Sequence, residues 1–444
     1  MTSNALEELR EKIDDRSARV GVIGLGYVGL PLAVELVAAG FEVIGFDIDR
    51  EKVRSIEAGN SYIGDVSTED LRSAREGDRF RATTEFDELH EVHIVNVCVP
   101  TPLTKTKDPD VSFMASAVEA IRDRLHPGRL IILGSTTYPG TTRELFVPVL
   151  EETGLKVGKD FSLAFAPERI DPGNTQYKVK NVPKVVGGES RICTELACRL
   201  FDTVFDTTVP VSSTQAAEMV KLLENTFRAI NIGLANEVAL MCERLDLDVW
   251  EVIEAAATKP YGFMKFLPGP GLGGHCIPVD PSYLSWRMKS LNFSARFIEL
   301  ATEINSGMPA HVVDRVTDVL NDAGLAVNGA RLLILGVAYK SDVGDMRESP
   351  AIDVISLLAR KGAKISYHDP FVPECEIDQA RYKCSELSDE LLANSDLVLI
   401  LTEHRGVDYA RVVENAPRVF DTRNATKNIR STGEGGSPGN VIKL

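Results

Sequence analysis

Residues 20–47 of the chain read VGVIGLGYVGLPLAVELVAAGFEVIGFD. The apolar run at 20–23 predicts a buried strand, and the apolar run at 30–39 predicts a helix that ends at Gly40. A second strand is predicted at 41–46, directly before Asp47. Strand, glycine-rich turn, helix and strand in this order are typical of a parallel sheet with a helical crossover, so the segment predicts an α/β fold.

The turn after the first strand, GLGYVG at 24–29, has a spacing that favours phosphate binding. Gly24 permits a tight turn, Gly26 lets the backbone approach a pyrophosphate, and Gly29 lets the helix pack closely on the strand. Amide groups at the helix N-terminus then hold the phosphate charge. The turn predicts a dinucleotide site, and the alternative is an incidental glycine turn beside a surface aspartate.

Asp47 stands where dinucleotide sites place an acid for the ribose hydroxyls. Its carboxylate would repel a 2′-phosphate, so we expect NAD rather than NADP, although nearby Lys52 weakens that preference. The cofactor-binding residues predicted from this segment are Gly24, Gly26, Tyr27, Val28, Gly29, Asp47 and Lys52.

Strands and helices continue to alternate along the first half, which favours a parallel, doubly wound sheet. From residue 212 to about 245 the pattern changes to one long helix with apolar positions on more than one face, a candidate for a domain connection and a dimer interface. A second alternation begins near residue 331. The other predicted strands are 92–99, 130–133, 162–165, 184–186, 332–336, 364–367, 397–401 and 418–421, the last of the chain, and a helix is predicted at 350–360.

The fold class expected from these elements is α/β, with two Rossmann-like doubly wound domains joined by a long central helix. The predicted domains are residues 1–210, 211–325 and 326–444. Leu6, Leu9 and Ile13 have helical spacing and predict a short amphipathic helix before the first strand.

The bulk composition excludes several classes of function. A net charge of −16 argues against nucleic-acid binding and against an anionic membrane surface as partner. The seven cysteines include no CxxC pair, which favours a reducing, cytoplasmic location. We also expect no signal peptide and no transmembrane span, because the chain has no apolar run of the required length.

The segment GPGLGGHCIPVD at 269–280 is the strongest chemical signal. Its small residues let a ligand approach the backbone, and Cys276 follows them directly. A thiolate suits aldehyde oxidation, because it adds to the carbonyl and the adduct can lose hydride to give a thioester. Asp280 lies within reach if a helical turn follows. The alternatives are a buried structural cysteine and a metal site or nucleophile pair with His275, and no cluster has metal-ligand spacing.

Three further segments carry candidate polar groups. Lys221 and Asn225 are four residues apart on the long helix and share a face that can donate to an oxyanion, unless they are an ordinary solvated pair. In PERIDPG at 167–173, Glu168 is a candidate general base and Arg169 a candidate substrate ligand, and a solvated charge cluster is the alternative. Thr136 follows the 130–133 strand and is a candidate ligand of a reacting oxygen or a helix N-cap.

The segment YKSDVGDMRESP at 339–350 follows the first strand of the second unit. Lys340 and Arg347 would meet phosphates there, and the alternative is a surface salt-bridge cluster.

Together these segments resemble the UDP-glucose/GDP-mannose dehydrogenase family over residues 19–424. The resemblance rests on GLGYVG at 24–29, STTYPGTT at 135–142, PERIDPG at 167–173, KLLEN at 221–225, GGHCIPVD at 273–280 and YKSDVGDMRESPA at 339–351.

The resemblance implies a role for each matching residue. Cys276 is the nucleophile, Lys221 and Asn225 stabilise the oxyanion, Asp280 assists proton transfer with Thr136, and Glu168 acts in thioester hydrolysis. It further implies an N-terminal NAD domain, a central helix that forms a homodimer, and a C-terminal domain for the nucleotide of the sugar. The remaining cofactor ligands are then Pro100, Thr101, Thr136 and Arg347, and the substrate ligands are Glu168, Arg169, Lys221, Asn225, Gly273, Gly274 and Lys340.

One position departs from the usual UDP-glucose pattern, which has a second Glu four residues after the first. Pro172 stands there, and the PERIDPGN and PKVVGG segments most resemble UDP-N-acetylglucosamine 6-dehydrogenases. UDP-N-acetylmannosamine, UDP-glucose and TDP-glucose remain alternative substrates.

The favoured interpretation is a four-electron oxidation, in which two NAD in turn take a hydride from C6 of the sugar and Cys276 captures the intermediate aldehyde. Two other functions compete with it. A two-electron hydroxyacid dehydrogenase would need neither Cys276 nor a second Rossmann-like domain. A catalytically silent nucleotide-sugar-binding protein would have lost at least one reacting residue, and every candidate position is filled.

Overall fold

A computed structural model describes residues 4–104, 108–170, 177, 179–274, 276–429 and 439–444. The chain forms two compact units, residues 1–224 with 282–293 (unit 1) and residues 225–281 with 294–444 (unit 2).

The regular elements of the described residues have the following bounds. The helices are α1 (Asn4–Asp14), α2 (Gly29–Ala38), α3 (Arg50–Glu57), α4 (Thr68–Arg75), α5 (Ser112–Arg122), α6 (Val147–Glu151), α7 (Arg191–Phe201), α8 (Thr214–Arg244), α9 (Val249–Ala256), α10 (Asp280–Ser290), α11 (Arg296–Asp322), α12 (Pro350–Arg360), α13 (Asp389–Asn394) and α14 (Tyr409–Asn415). The strands are β1 (Arg19–Ile23), β2 (Glu42–Phe46), β3 (Phe80–Thr83), β4 (Ile94–Val97), β5 (Leu130–Leu133), β6 (Ser162–Phe165), β7 (Lys184–Gly188), β8 (Thr208–Val211), β9 (Arg331–Leu335), β10 (Lys364–His368), β11 (Glu374–Ile377), β12 (Ala380–Lys383), β13 (Leu397–Ile400), β14 (Val419–Asp421) and β15 (Val441–Lys443).

Unit 1 is built on a sheet of the order β3-β2-β1-β4-β5-β6-β7-β8. Its first six strands have the Rossmann order 3-2-1-4-5-6, which confirms the predicted doubly wound fold. The prediction of a wholly parallel sheet is wrong at one pairing, because β7 runs antiparallel to β6.

Both faces of this sheet are buried, and the strands show why. In β5, Leu130 and Ile132 contribute to one core while Ile131 and Leu133 contribute to the other. Side chains alternate between faces along a strand, so a continuous apolar run is buried on both sides, as in parallel sheets covered by helices.

Unit 2 contains a second parallel sheet of order β10-β9-β13-β14-β15, with the antiparallel hairpin β11-β12 beside it. Taken without the hairpin, the sheet has the doubly wound order 2-1-3-4-5. The prediction that the 418–421 strand is the last is wrong, because β15 pairs in parallel with β14.

Candidate active site

The three glycines of the turn in unit 1 differ in what surrounds them. Gly24 has φ +89°, and a Cβ there would lie 2.5 Å from the carbonyl oxygen of Cys98. A Cβ at Gly29 would lie 1.8 Å from the Gly24 carbonyl oxygen. A Cβ at Gly26 would meet no protein atom within 4 Å. Packing therefore explains Gly24 and Gly29, whereas Gly26 leaves open space over the backbone, which fits a pyrophosphate.

Asp47 holds this turn in place. Its carboxylate accepts hydrogen bonds from the backbone N–H groups of Leu25 and Asp49, both at 2.9 Å, and it pairs with the Lys52 ammonium at 3.3 Å. Asp47 is buried, and a carboxylate with about four acceptor sites can still accept from a ribose. Tyr27 is exposed and Val28 precedes α2, so the turn, the helix N-terminus and Asp47 together fit NAD.

The predicted ligands after β4 and β5 lie at the carboxyl ends of these neighbouring strands, where ligands bind in this fold. Pro100 is exposed and Thr101 is buried. The hydroxyl of Ser135 donates to the Val99 carbonyl at 2.9 Å and so links the two loops. Thr136 is half-buried and caps no helix, because the next helical turn begins at Thr142.

Glu218 of α8 clamps this loop and was missed by the sequence analysis. Its buried carboxylate accepts from the N–H of Gly140 at 2.6 Å and from the N–H and hydroxyl of Thr142 at 2.9 and 2.6 Å. Burial raises the pKa of Glu218, and the bonds from Thr142 and Gly140 oppose that effect. The helical spacing of Glu218, Lys221 and Asn225 was the available signal.

Glu168 is buried, and both of its carboxylate oxygens accept hydrogen bonds. One carboxylate oxygen accepts from the N–H groups of Arg169 at 2.7 Å and Ile170 at 3.1 Å, and the other accepts from the Lys184 ammonium at 3.0 Å. Lys184 is itself buried, with its ammonium 5.1 Å from the centre of the Phe205 ring. Lys184 was also missed, since nothing in the sequence indicates which carboxylate it meets.

Arg169 is not a solvated surface charge. Its guanidinium forms a two-pronged ion pair with Glu224, at 2.5 and 3.2 Å, and donates to the Pro183 carbonyl at 2.6 Å. Binding to substrate would require Arg169 to use its remaining donors. Pro172 and Gly173 lie outside the described residues.

Lys221 and Asn225 are both buried on one face of α8. The alternative of a solvated lysine beside a surface asparagine is therefore wrong. Glu224 pairs with Arg169, not with Lys221.

In unit 2 the loop before α10 brings Cys276 to the surface. Residues 268–271 are buried, whereas Cys276 is exposed. The carbonyl of Cys276 accepts from the N–H groups of Val279 at 3.2 Å and Asp280 at 2.8 Å, so the helical turn expected after the cysteine is present. His275 lies outside the described residues.

The remaining cysteines fit the structural alternative. Burial raises the pKa of the Cys98 thiol to about 12, which makes it a poor nucleophile at neutral pH. The others are buried or half-buried, namely Cys193, Cys198, Cys242, Cys375 and Cys384.

Asn225 and Asp280 meet directly within unit 2. The amide nitrogen of Asn225 donates to the Asp280 carboxylate at 2.5 Å, and both side chains are buried. The structure thus joins a predicted oxyanion ligand to the predicted proton-transfer group, 55 residues apart in sequence.

The segment after β9 lies against the cysteine loop. The N–H of Gly274 donates to the Arg347 carbonyl at 3.2 Å, and a Cβ at Gly273 would lie 2.8 Å from Tyr339. The Arg347 guanidinium is half exposed and forms a bidentate pair with Asp345, its NH2 group 2.7 Å from the carboxylate, as the salt-bridge alternative predicts. Lys340 is half-buried.

Two absences apply to the described residues. No group of three or more His, Cys, Asp or Glu side chains among them has the arrangement of a metal site. Within the same residues, no helix combines the length and apolar character needed to cross a membrane.

Family models match three consecutive parts of the chain. They describe the UDP-glucose/GDP-mannose dehydrogenase family's NAD binding domain at residues 18–206, its central domain at 215–307 and its UDP binding domain at 333–428.

Named relatives act on different sugars. A UDP-N-acetyl-D-glucosamine 6-dehydrogenase of Pseudomonas aeruginosa is 36% identical, covering 80% of this chain and 84% of its own. A UDP-N-acetyl-D-mannosamine dehydrogenase of Methanococcus maripaludis is 35% identical, covering 91% and 92%. The solved UDP-D-ManNAc dehydrogenase of Pyrococcus horikoshii superposes with a TM-score of 0.85 at 31% identity, covering 96% and 98%. The chain therefore belongs to the UDP-glucose/GDP-mannose dehydrogenase family and is an NAD-dependent nucleotide-sugar dehydrogenase.

Proposed function

We propose that this enzyme oxidises the C6 hydroxymethyl group of UDP-N-acetylglucosamine to a carboxylate in two steps, with Cys276 as nucleophile. The observation that carries the proposal is the exposed Cys276 at the end of a buried glycine loop, in the same unit as the buried Asn225–Asp280 pair. NAD, when bound, accepts the hydride of each oxidation.

The first oxidation removes a hydride from C6 and a proton from its hydroxyl. We assign the proton transfer to Asp280 with Thr136, and the stabilisation of the developing alkoxide to the Lys221 ammonium and the Asn225 amide. Both groups are buried, and hydrogen bonds to a developing charge are strongest where water is excluded.

The second oxidation runs through Cys276. Its thiolate adds to the C6 aldehyde, forming a C–S bond and a thiohemiacetal. Loss of a second hydride from C6 and of the hydroxyl proton leaves a thioester. Water then adds to the thioester carbonyl, the C–S bond breaks, and the carboxylate leaves while the sulfur returns as thiolate. Overall, one CH2OH, one water and two NAD give one carboxylate, two NADH and three protons.

We assign the activation of that water to Glu168. The Lys184 ammonium at 3.0 Å and the backbone N–H of Arg169 at 2.7 Å hold the Glu168 side chain in a fixed position, as a general base requires. Lys52 and Asp47 are proposed to bind the adenosine ribose. Arg347 is assigned to the cofactor, and Lys340, Arg169, Gly273 and Gly274 to the nucleotide sugar.

The choice of sugar is supported by two kinds of likeness. PERIDPG at 167–173 has the form expected for N-acetylhexosamine substrates, and relatives in Pseudomonas aeruginosa and Salmonella typhi are UDP-N-acetyl-D-glucosamine 6-dehydrogenases. UDP-N-acetylmannosamine is the second candidate, because other relatives of similar identity act on it. Comparing kcat/KM for the two sugars decides between them.

We further propose that the enzyme is a homodimer. The long helix α8 exposes a stripe of large apolar side chains at helical spacing, and such patches mark protein interfaces. The variant Leu234→Asp, in the middle of the stripe, is expected to sediment as a monomer. On α8 the stripe comprises Met219, Leu223, Phe227, Leu234 and Met241, and Leu245 follows directly after the helix. The cytoplasmic location stays a prediction from the cysteine pattern.

The covalent route is tested with Cys276→Ser, with Cys198→Ser as the matched control. Cys276→Ser should form no uronate and no thioester, whereas Cys198→Ser should behave as the unmodified enzyme. Full uronate formation by Cys276→Ser would contradict the route.

A further inference from the structure

The loop that carries Cys276 is long for a connection inside a compact unit. It joins α9 to α10 through residues 257–279 without helix or strand among its described residues. Loops of this length are usually functional and must be held by specific contacts. Residues 268–271 are buried, so their backbone polar groups need partners from the protein.

Asn236 of α8 provides such a partner. Its side-chain oxygen accepts from the N–H of Gly269 at 2.9 Å, and Asn236 is completely buried. Gly269 stands seven residues before Cys276, at the start of the glycine-rich stretch. This hydrogen bond anchors the loop where it enters the interior of unit 2.

A second buried asparagine orients the first. The amide nitrogen of Asn236 donates to the side-chain oxygen of Asn305 at 2.8 Å, and the Asn305 nitrogen donates to the Ala229 carbonyl at 3.1 Å. The Gly269 N–H can only donate and the Ala229 carbonyl can only accept. Both amide orientations are therefore determined, and neither side chain can flip without losing bonds.

The two asparagines sit on closely packed helices. A Cβ at Gly233 of α8 would lie 3.2 Å from the Cβ of Ala301 on α11. Close packing at this point makes the pair of helices a stiff support for Asn236 and Asn305.

From this anchor the loop has a narrow path to the cysteine. Gly271 has φ +137°, and a Cβ there would lie 2.9 Å from Pro350. The N–H of Gly274 donates to the Arg347 carbonyl at 3.2 Å. The loop is thus fixed before Cys276 by Asn236 and again by the segment after β9.

We propose that Asn236 is a positioning residue for Cys276, and that Asn305 orients the Asn236 amide for this task. The proposal rests on the proposed function, in which Cys276 is the nucleophile. Displacement of a reacting group by about 1 Å can cost up to about 100-fold in rate, so an anchor of this kind is expected to act on kcat.

The test compares three variants of the whole enzyme. Asn236→Leu keeps the size and the helix but removes the acceptor for Gly269 and the donor for Asn305. Asn236→Asp keeps the acceptor and, when protonated, the donor. Val316→Ala, in the buried core of unit 2 on α11, destabilises the unit without touching the loop. For each variant we would measure Tm, kcat, the KM for NAD and the rate at which iodoacetamide alkylates Cys276, followed in the peptide that contains it.

Asn236→Leu is expected to lower kcat by about 10- to 100-fold and to change the alkylation rate, with little change in the KM for NAD. Asn236→Asp should recover much of kcat at low pH and lose it as pH rises, because the ionised carboxylate then faces the Asn305 oxygen. Val316→Ala should keep both kcat and the alkylation rate, even if its Tm falls as much as that of Asn236→Leu.

The proposal is overturned if Asn236→Leu keeps the unmodified kcat and alkylation rate, or if Val316→Ala loses both to the same extent. Should Asn236→Leu fail to fold, a kcat of Asn236→Asp that keeps a constant ratio to the unmodified enzyme across pH overturns it as well. Alkylation reports the position of the thiol whether or not it is the nucleophile. A failed proposed function, seen as uronate formation by Cys276→Ser, is therefore distinguishable from failed positioning.

Discussion

The amide nitrogen of Asn225 donates a 2.5 Å hydrogen bond to the carboxylate of Asp280. An asparagine amide has two N–H donors, so one orients Asp280 while the other stays available for an oxyanion. The bond also ties α8 to the first residue of α10, four residues after Cys276. The residue proposed to stabilise the oxyanion, Asn225, therefore also orients the residue proposed to transfer the proton, Asp280.

Asp280→Asn should lower kcat by about 100-fold or more, because the variant cannot accept the substrate proton. The KM for the sugar should change little, since the side-chain size is kept. Steady-state NADH formation measures both. Asp248→Asn is the control, because it also removes one charge from unit 2 and asparagine caps α9 equally well. A kcat for Asp280→Asn within about threefold of the control would exclude a proton-transfer role.

Alanine substitutions distinguish the roles of two glycines of the turn, Gly29 and Gly26. Gly29→Ala should destabilise unit 1 severely, because its Cβ would lie 1.8 Å from a carbonyl oxygen. Gly26→Ala should leave Tm unchanged and weaken NAD binding, because its Cβ meets no protein atom within 4 Å but would occupy the pyrophosphate space. Thermal unfolding and NAD titration measure the two effects.

Gly406→Ala is the control for this series, since a Cβ there also meets no atom within 4 Å and the residue lies in unit 2. It should change neither Tm nor NAD affinity. Unaltered NAD affinity in Gly26→Ala would argue against the proposed pyrophosphate position.

Glu168→Gln should trap the thioester. The glutamine places an NH2 group against either Lys184 or the backbone donors, so one bond of the present network is lost. With water activation impaired, acid-quenched enzyme should show the added mass of the acyl group on Cys276. Glu144→Gln, which removes an exposed partner of Arg287, should show none. Turnover by Glu168→Gln at the unmodified rate, without any adduct, would remove Glu168 from the hydrolysis step.

His93 should make unit 1 sensitive to mild acid. Burial first, and the positive charge of Lys12 second, lower the pKa of His93 to about 4. The unfolded chain takes up the proton near pH 6.5, so stability is complete above about pH 6.5 and falls as pH drops towards about 4. Because His93 is only half-buried, we expect the free energy of unfolding to fall by roughly 1–2 kcal/mol over this pH range.

His93→Asn should flatten this dependence, because its side-chain oxygen can still accept from the Arg19 N–H that now meets Nδ1 at 3.1 Å. Urea unfolding at pH 5 and pH 7.5 measures the slope. His90→Asn, on an exposed side chain, is the control. Equal slopes for His93→Asn and the unmodified enzyme would assign the acid sensitivity to other groups.

The elements predicted correctly from sequence are those whose apolar pattern matches the burial of their side chains in the structure. The strands at 130–133 and 162–165 and the helix at 350–360 have the predicted bounds, because their apolar runs end at clear turn residues. The hairpin β11–β12 was not predicted, and neither were the strands β3, β8 and β15. These last three strands are short and partly polar, and their pairing with distant strands, not their own composition, makes them strands.

The candidate site likewise has a part that could be predicted from sequence and a part that could not. Residue type and spacing were enough to propose roles for Gly24, Asp47 and Cys276. The contacts that hold the site segments in place could not be predicted, because they join residues far apart in sequence. Glu224 contacts Arg169 across 55 residues, and Asn236 contacts Gly269 across 33. Helical spacing on α8 was the one local signal, and it links Glu218 to Lys221 and Asn225.

Counting NADH against sugar consumed tests the central claim most directly. With excess NAD and limiting UDP-N-acetylglucosamine, UDP-N-acetylmannosamine or UDP-glucose in separate reactions, we predict two NADH per UDP-N-acetylglucosamine consumed. One NADH per sugar would contradict the four-electron oxidation, and two NADH only with another of the sugars would contradict the assigned substrate.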